Sequence, residues 1–303
     1  MIKNSIIGKY ATLLVFALLV VFYLEACTKE KEEPTCIITM TTKASEVNIS
    51  IGIKAGDDKS GNLTIDWGDG KKGNITDVIS NDGSGLLGFS HEYSGNSEYG
   101  ITITGDNIVG LECVGYELTA LDVSRNTALT SLVCSYNQLT VLDVSRCTAL
   151  TSLQCGGNQL TVLDVSRNTI LTSLYCGNNQ LTALDVSRNT ALTSLECKYN
   201  QLTALDVSKN TALIYLYISS NQLKNLDVNK NIALGALNVE FNQLTAAVLN
   251  DIFRALPSWP LDPEYVGDIR ITGNPGTDEC DWSIAIEKGW HFIFPQHTQH
   301  TQR

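Results

Sequence analysis

The sequence predicts an all-β-dominated chain: a small β-sandwich, then a solenoid of short parallel strands with a 21-residue period, then a C-terminal cap. Three observations predict it. Cysteine recurs at Cys113, Cys134, Cys155, Cys176 and Cys197, each 21 residues after the last. The block LTSLVCSYNQL, Leu129 to Leu139, returns as LTSLQCGGNQL, LTSLYCGNNQL, LTSLECKYNQL, LIYLYISSNQL and LGALNVEFNQL, and self-similarity at a fixed period marks a repeat array. Ahead of it, EVNISIGIKA, NLTIDWGDG and YGITITG alternate apolar with polar residues between Gly, Asp and Asn, as strands and tight turns do.

The N-terminus reads as an export segment. Lys3 and Lys9 precede ATLLVFALLVVFYL, an apolar run of 14 residues, too short for a membrane span of about 20 residues and suited to a signal peptide. Leu24, Ala26 and Cys27 resemble the lipobox of bacterial lipoproteins, with Glu25 departing from the usual small residue. That resemblance implies a signal peptide over 1–26 and lipidation of Cys27, which anchors the chain to a membrane. Removing Lys3, Lys9 and Glu25, a net +1, takes the charge from -11 to -12. The alternative is an uncleaved signal anchor. Residues 27–35, with TKEKEEP, are too charged to pack and read as a tether. They are similar to the acidic export signal of Gram-negative surface lipoproteins, which implies an outer-membrane lipoprotein exposed on the cell surface.

Residues 36–105 make the sandwich. IDWGDG (Ile65 to Gly70), FSHEYS (Phe89 to Ser94) and EYGITITG (Glu98 to Gly105) resemble a PKD-type domain, which implies an immunoglobulin-like fold. Asp66 and Asp69 fit the demands of a tight turn better than those of a metal or acid pair. His91 reads as structural, because no nucleophile motif accompanies it.

Residues 106–245 carry the array. L-x-x-L-x-L-x-x-N-x-L, with Cys in a leucine place, is the leucine-rich-repeat pattern, and the cysteine ladder makes it similar to cysteine-rich internalins. Leu132, Val133 and Cys134 read in, out, in, so the cysteine faces the core. Its column continues as Ile218 and Val239, which marks an apolar filler; neighbouring strands about 4.8 Å apart also place the thiols poorly for disulfides. The asparagines from Asn137 to Asn242 are expected to satisfy turning main chain, with stacked amides bonding along the array. Cys147 replaces the Asn of Asn126, Asn168, Asn189 and Asn210 and reads as an outer-turn change. The return segment LTALDVSRNTA suggests a second short strand. Its Asp column (Asp122 to Asp227) and Arg/Lys column (Arg125 to Lys230) are expected to compensate each other and to make turn hydrogen bonds; a calcium column is the alternative.

Residues 246–294 form the cap. AAVLNDIFRALPSWP reads as an amphipathic helix ended by proline, and GDIRITGNPG and CDWSIAIEKGW as a closing strand and turn, with Cys280 packed inside. Residues 295–303 read as a tail.

The net charge of -11 argues against a nucleic-acid partner. The repeats contain no histidine and their Asp column does not converge, so the chain reads as no enzyme, with no cofactor and no metal. Outward strand positions are free of folding duties and are expected to line a concave face. Tyr136, Tyr175, Glu196, Lys198, Tyr199, Tyr215, Tyr217 and Phe241 are the candidate binding residues, because aromatics are over-represented at binding hot spots. The reading is a cell-surface adhesin or receptor-like module that binds a protein or glycan ligand; the alternative is a passive spacer or accessory module.

Overall fold

The segment from Cys36 to Gly105 alternates apolar with polar residues, and such a strand buries one face. The structure, a computed structural model, describes residues 36–53, 63–74, 86–95, 97–259 and 267–294. The expected signal peptide, the tether with Cys27 and the tail lie outside the described residues. β1 (Cys36–Thr42), β3 (Thr64–Asp66), β4 (Lys72–Asn74) and β6 (Tyr99–Gly105) share one sheet; β2 (Glu46–Ile53) and β5 (Leu86–Glu92) begin a second. All these pairs are antiparallel. The inward residues Ile38, Met40, Ile49, Ile51, Ile65, Ile101 and Ile103 are buried.

Neither sheet stops at Gly105. β7 (Ile108–Glu112) pairs antiparallel with β2 and parallel with β9 (Ser131–Val133), so the second sheet runs on into the repeats. β8 (Ala120–Asp122) pairs antiparallel with β1 and extends the first sheet into the return segment of the first repeat. Both layers of the first rung are therefore continuations of the two sheets. This covers the apolar end of the array and pairs its open strand edge, the two liabilities of a solenoid terminus. Gly52 faces Gly110 at the junction, where a Cβ on Gly52 would lie 3.1 Å from the Gly110 Cα.

β9, β10 (Ser152–Gln154), β11 (Ser173–Tyr175), β12 (Ser194–Glu196), β13 (Tyr215–Tyr217) and β14 (Ala236–Asn238) then stack in parallel, each residue opposite its copy 21 positions on. Each strand has three residues, but main-chain bonding outlasts it: Cys134 N–H reaches the Gln154 carbonyl at 2.8 Å and Tyr136 N–H the Gly156 carbonyl at 2.8 Å. The cysteine column is buried, as the alternation predicts, and every described cysteine is a free thiol.

The asparagine column works differently from the expected amide stack. Asn137 Oδ1 accepts from Tyr116 and Leu118 N–H, and its Nδ2 donates to the Cys113 and Cys134 carbonyls at 2.8 and 3.1 Å. The amides thus bond main chain on two rungs rather than each other. Asn158, Asn179, Asn200, Asn221 and Asn242 repeat the bonds to the Leu N–H and to the two carbonyls. Each main-chain group left unmade in this buried turn would cost about 1–3 kcal/mol, so one side chain stitches several groups of that worth.

Two further expectations are corrected, and a third, for the Asp column, holds in its turn hydrogen bonds. The return segment is a strand only at β8, where β1 supplies an antiparallel partner; among the described residues the later copies form no strand. Cys147 is buried, not in an outer turn. Its column holds Asn126, Asn168, Asn189, Asn210 and Asn231, all buried, and its thiol donates to the Val123 carbonyl at 3.4 Å, where Asn168 Nδ2 donates to the equivalent Val144 carbonyl. The Asp column is held by turns more than by its Arg neighbours. Asp143, Asp164, Asp185 and Asp206 each accept from the N–H two residues on. Hydrogen bonds from Ser145, Ser166, Ser187 and Ser208 depress these carboxyls first, with Arg146, Arg167, Arg188 and Lys209 as weaker influences.

The cap begins with α1 (Ala246–Ala255), whose N-cap Thr245 hydroxyl accepts from Val248 N–H and whose Leu249, Ile252 and Phe253 are buried. β15 (Gly267–Arg270) then pairs parallel with β14, and β16 (Trp290–Phe292), after the short α2 (Ser283–Ile286), pairs parallel with β15. Asn274 resumes the asparagine column, accepting from Leu244 N–H and donating to the Val239 and Ile271 carbonyls. The cap therefore contains one more rung, delayed by the helix. Cys280 is buried there, its thiol donating to the Thr277 carbonyl.

Candidate binding surface

Because the core-facing Leu and Cys fix each strand's orientation, the residues between them must point outward. Val133, Gln154, Tyr175, Glu196, Tyr217, Asn238 and Arg270 form one such row, in register across six pairings. A flanking row reads Ser131, Ser152, Ser173, Ser194, Tyr215, Ala236 and Asp268. Tyr175, Glu196, Tyr215 and Tyr217 therefore occupy outward strand positions, as the sequence implies.

At the C-terminal rungs these side chains meet. Ser194 Oγ donates to the Tyr175 hydroxyl at 3.1 Å, Lys198 Nζ lies 3.1 Å from Glu196 Oε1, and the Tyr215 and Tyr217 rings are 6.4 Å apart. Asn238 donates to Glu240 at 3.2 Å and accepts its N–H at 3.0 Å. A shallow cavity of about 230 Å³ opens between Glu196, Lys198, Tyr217, Asn238, Asp268 and Arg270. Partial burial raises the Tyr217 phenol, with Tyr215, Asp268 and Glu196 adding to the rise and Arg270 opposing it. Asp268 and Arg270 went unread in the sequence, because α1 and its following segment interrupt the period before their rung. The signal was there: Ile269, Ile271 and Asn274 repeat the spacing of Leu132, Cys134 and Asn137.

Lys198 sits just past its strand but lines the same cavity; the remaining candidates, Tyr136, Tyr199 and Phe241, lie one residue further, in the turn, and belong to a second surface. That turn column, Gly115, Tyr136, Gly157, Asn178, Tyr199, Ser220, Phe241 and Gly273, has φ between 53° and 80° throughout. These are not strand positions: the three-residue strands have ended, and the chain takes a left-handed residue before each buried asparagine. An L side chain in that region costs roughly 1 kcal/mol relative to glycine.

In the sandwich, Asp66 and Asp69 serve turns: Asp66 accepts from Gly68 N–H and Asp69 from Lys71 N–H. Asp69 also lies 2.9 Å from His91 Nε2, and the His91 ring stacks on Trp67 at 4.8 Å. Burial alone would raise the Asp69 carboxyl, but the His91 bond, the Lys71 N–H and both residues' charges together hold it below its ordinary value. Burial pushes the Cys113, Cys155 and Cys197 thiols up to about 12 and the Cys147 thiol to about 11, and raises Cys134 and Cys176 too. Thiols so held are protonated and inert at neutral pH. Among the described residues no three His, Cys, Asp or Glu side chains are grouped to hold a metal.

No family model and no curated protein matches the sequence. Solved structures do. The functional domain of InlJ from Listeria monocytogenes, which includes a cysteine ladder, is 30% identical over 60% of this chain and 50% of that one, with a TM-score of 0.42. The internalin InlF from Listeria monocytogenes is 27% identical over 57% and 51%, TM-score 0.49. Internalin C2 from the same organism is 21% identical over 62% and 81%, TM-score 0.50. This chain spans about half the length of the first two. The fold is a leucine-rich-repeat solenoid, mostly β, like that of internalin C2.

Proposed function

We propose that the chain is a cell-surface binding module that takes a protein partner on the outward face of its C-terminal strands, and that it is not an enzyme. The observation that carries this reading is the row of outward side chains over the last rungs. Tyr175, Tyr215 and Tyr217, with the charged Glu196, Asp268 and Arg270, sit on the sheet, Lys198 stands just past it, and none of the three tyrosines fills the core. Rigid aromatics beside charged groups supply contact area at small entropic cost.

The test is a protein array probed with the full chain, followed by alanine variants of the chain titrated against the partner found. Tyr175→Ala, Tyr215→Ala and Tyr217→Ala leave the core intact, and the strongest should cost about 2 kcal/mol, roughly a thirtyfold loss of affinity. Arg167→Ala and Arg188→Ala, on the return segments, should change little. Unaltered affinity in the tyrosine variants moves the site elsewhere; an absence of any partner favours a passive spacer.

The reading includes a lipid anchor at Cys27, an outer-membrane location and a PKD-like identity for residues 36–105. The lipobox-like LEAC and the charged TKEKEEP support the anchor and the location, and the antiparallel pairing of the strands within residues 36–105 supports the sandwich. Two or three acyl chains on Cys27 would hold the protein stably where one would not. Cys27→Ser should release it from the membrane fraction with a matching loss of lipid mass; retention at unchanged mass would refute lipidation.

A further inference from the structure

We propose that the left-handed turn column is a carbohydrate track, in which Tyr136, Tyr199 and Phe241 are stacking platforms for a linear glycan and the adjoining glutamines supply its hydrogen bonds. This goes beyond the strand-face reading and does not depend on it.

Bulky residues at positive φ are rare, and the other members of the column are the small or tolerant Gly115, Gly157, Asn178, Ser220 and Gly273. Tyr136, Tyr199 and Phe241 accept the strain and are nevertheless 68%, 55% and 54% exposed. The core gains little from them. Strain retained by an exposed side chain points to a use other than folding.

The rings are also laid down in a particular way. A Cβ on Gly157 would come within 2.7 Å of Tyr136 Cδ1, and one on Gly273 would collide with Phe241 Cδ1. Tyr136 and Phe241 thus each lie across the glycine of the next rung, where a side chain would displace the ring, while the position after Tyr199 holds the small Ser220.

Spacing and surroundings select the ligand. With rungs about 4.8 Å apart, Tyr136 and Tyr199 are roughly 14 Å apart and Tyr199 and Phe241 roughly 10 Å. The rings are separate islands along a line, unlike the contiguous apolar centre of a protein hot spot. A polymer of pyranose rings, each with an apolar C–H face and a hydroxyl rim, presents apolar faces at comparable intervals. Two residues past each turn position runs a glutamine column from Gln138 to Gln243, one exposed amide per rung. Each amide has two donors and one acceptor, a match for hydroxyls, and among the described residues no hydrogen bond within the chain occupies these side chains. The net negative charge argues against a nucleic acid as the polymer.

The experiment titrates the full chain with β-1,4-linked hexasaccharides of glucose, mannose, xylose and N-acetylglucosamine, and with the matching disaccharides. One hexasaccharide should bind, and its disaccharide at least tenfold more weakly, because it spans too few platforms. Tyr199→Gly and Phe241→Gly should each weaken binding about tenfold while raising Tm, since glycine relieves the backbone. That opposed pair of changes separates a lost site from a damaged fold. Failure of every hexasaccharide to bind, unchanged affinity when Tyr199→Gly and Phe241→Gly are combined, or a fall in Tm overturns the proposal. So does a protein partner lost on Tyr199→Gly when no sugar binds. The Tyr175, Tyr215 and Tyr217 variants should leave sugar binding intact, so failure of one site is distinguishable from failure of the other.

Discussion

Cys155→Asp will abolish the cooperative fold of the repeats, while Cys155→Val will keep it within about 1 kcal/mol of the parent. Cys155 is fully buried in a column between Cys134 and Cys176 and belongs to one continuous core made mostly of leucine, valine, isoleucine and cysteine. A carboxylate there has no cation to pair with and costs several kcal/mol even if it takes up a proton. Against a total stability of about 5–15 kcal/mol that is enough to unfold the chain. The damage also spreads, because each rung buries its faces only against its neighbours. Valine, by contrast, is what the column already holds at Val239. Urea denaturation followed by far-UV circular dichroism decides it: a parental midpoint in the Cys155→Asp variant would mean the column is not a sealed core.

The inner column was legible because a two-residue alternation and the substitution of Ile218 and Val239 for cysteine both speak through side-chain chemistry. What escaped the sequence was set by backbone and by distance. Tyr199 looked like a strand residue because letters do not show that Ser194–Glu196 ends three residues earlier or that the turn has positive φ. Yet Gly115, Gly157 and Gly273 fall at that same place in the repeat, a hint that the position favours glycine. Cys147 reads as an outer-turn residue because its neighbours Ser145, Arg146 and Thr148 are polar, and a buried asparagine column reads as surface until its carbonyl partners are known. The joining of β8 to β1 could not be read either, since Thr39 and Asp122 pair across more of the chain than any local pattern spans. For the strand face, Tyr175, Glu196, Tyr215 and Tyr217 followed from periodicity, whereas Asp268 and Arg270 were hidden by an insertion that shifts the count without breaking the stack.

Alkali should unfold the array steeply, and the cysteine ladder is the reason. Burial raises the thiols of Cys113, Cys155 and Cys197 from an ordinary 9.0 to about 12, and raises Cys134 and Cys176 as well. Below pH 9.0 folded and unfolded chains both hold these protons, so the ladder's contribution is fully present. Above it the unfolded chain sheds protons that the fold retains, and stability falls as pH rises toward the folded values. Each thiol then removes about 1.4 kcal/mol per pH unit, and five together about 7. A domain of ordinary stability, about 5–15 kcal/mol, would be exhausted one to two pH units above that onset, giving a midpoint of about pH 10–11. Circular dichroism against pH, under reductant, measures it. Replacing Cys134, Cys155 and Cys176 by valine leaves Cys113 and Cys197 in the ladder and Cys147 beside it, so the slope should fall by up to about half and the midpoint should rise. A triple variant as steep as the parent would assign the alkaline transition to tyrosines or lysines, and a parent still folded at pH 12 would show that the ladder is bridged or that its thiols are not held protonated by the fold.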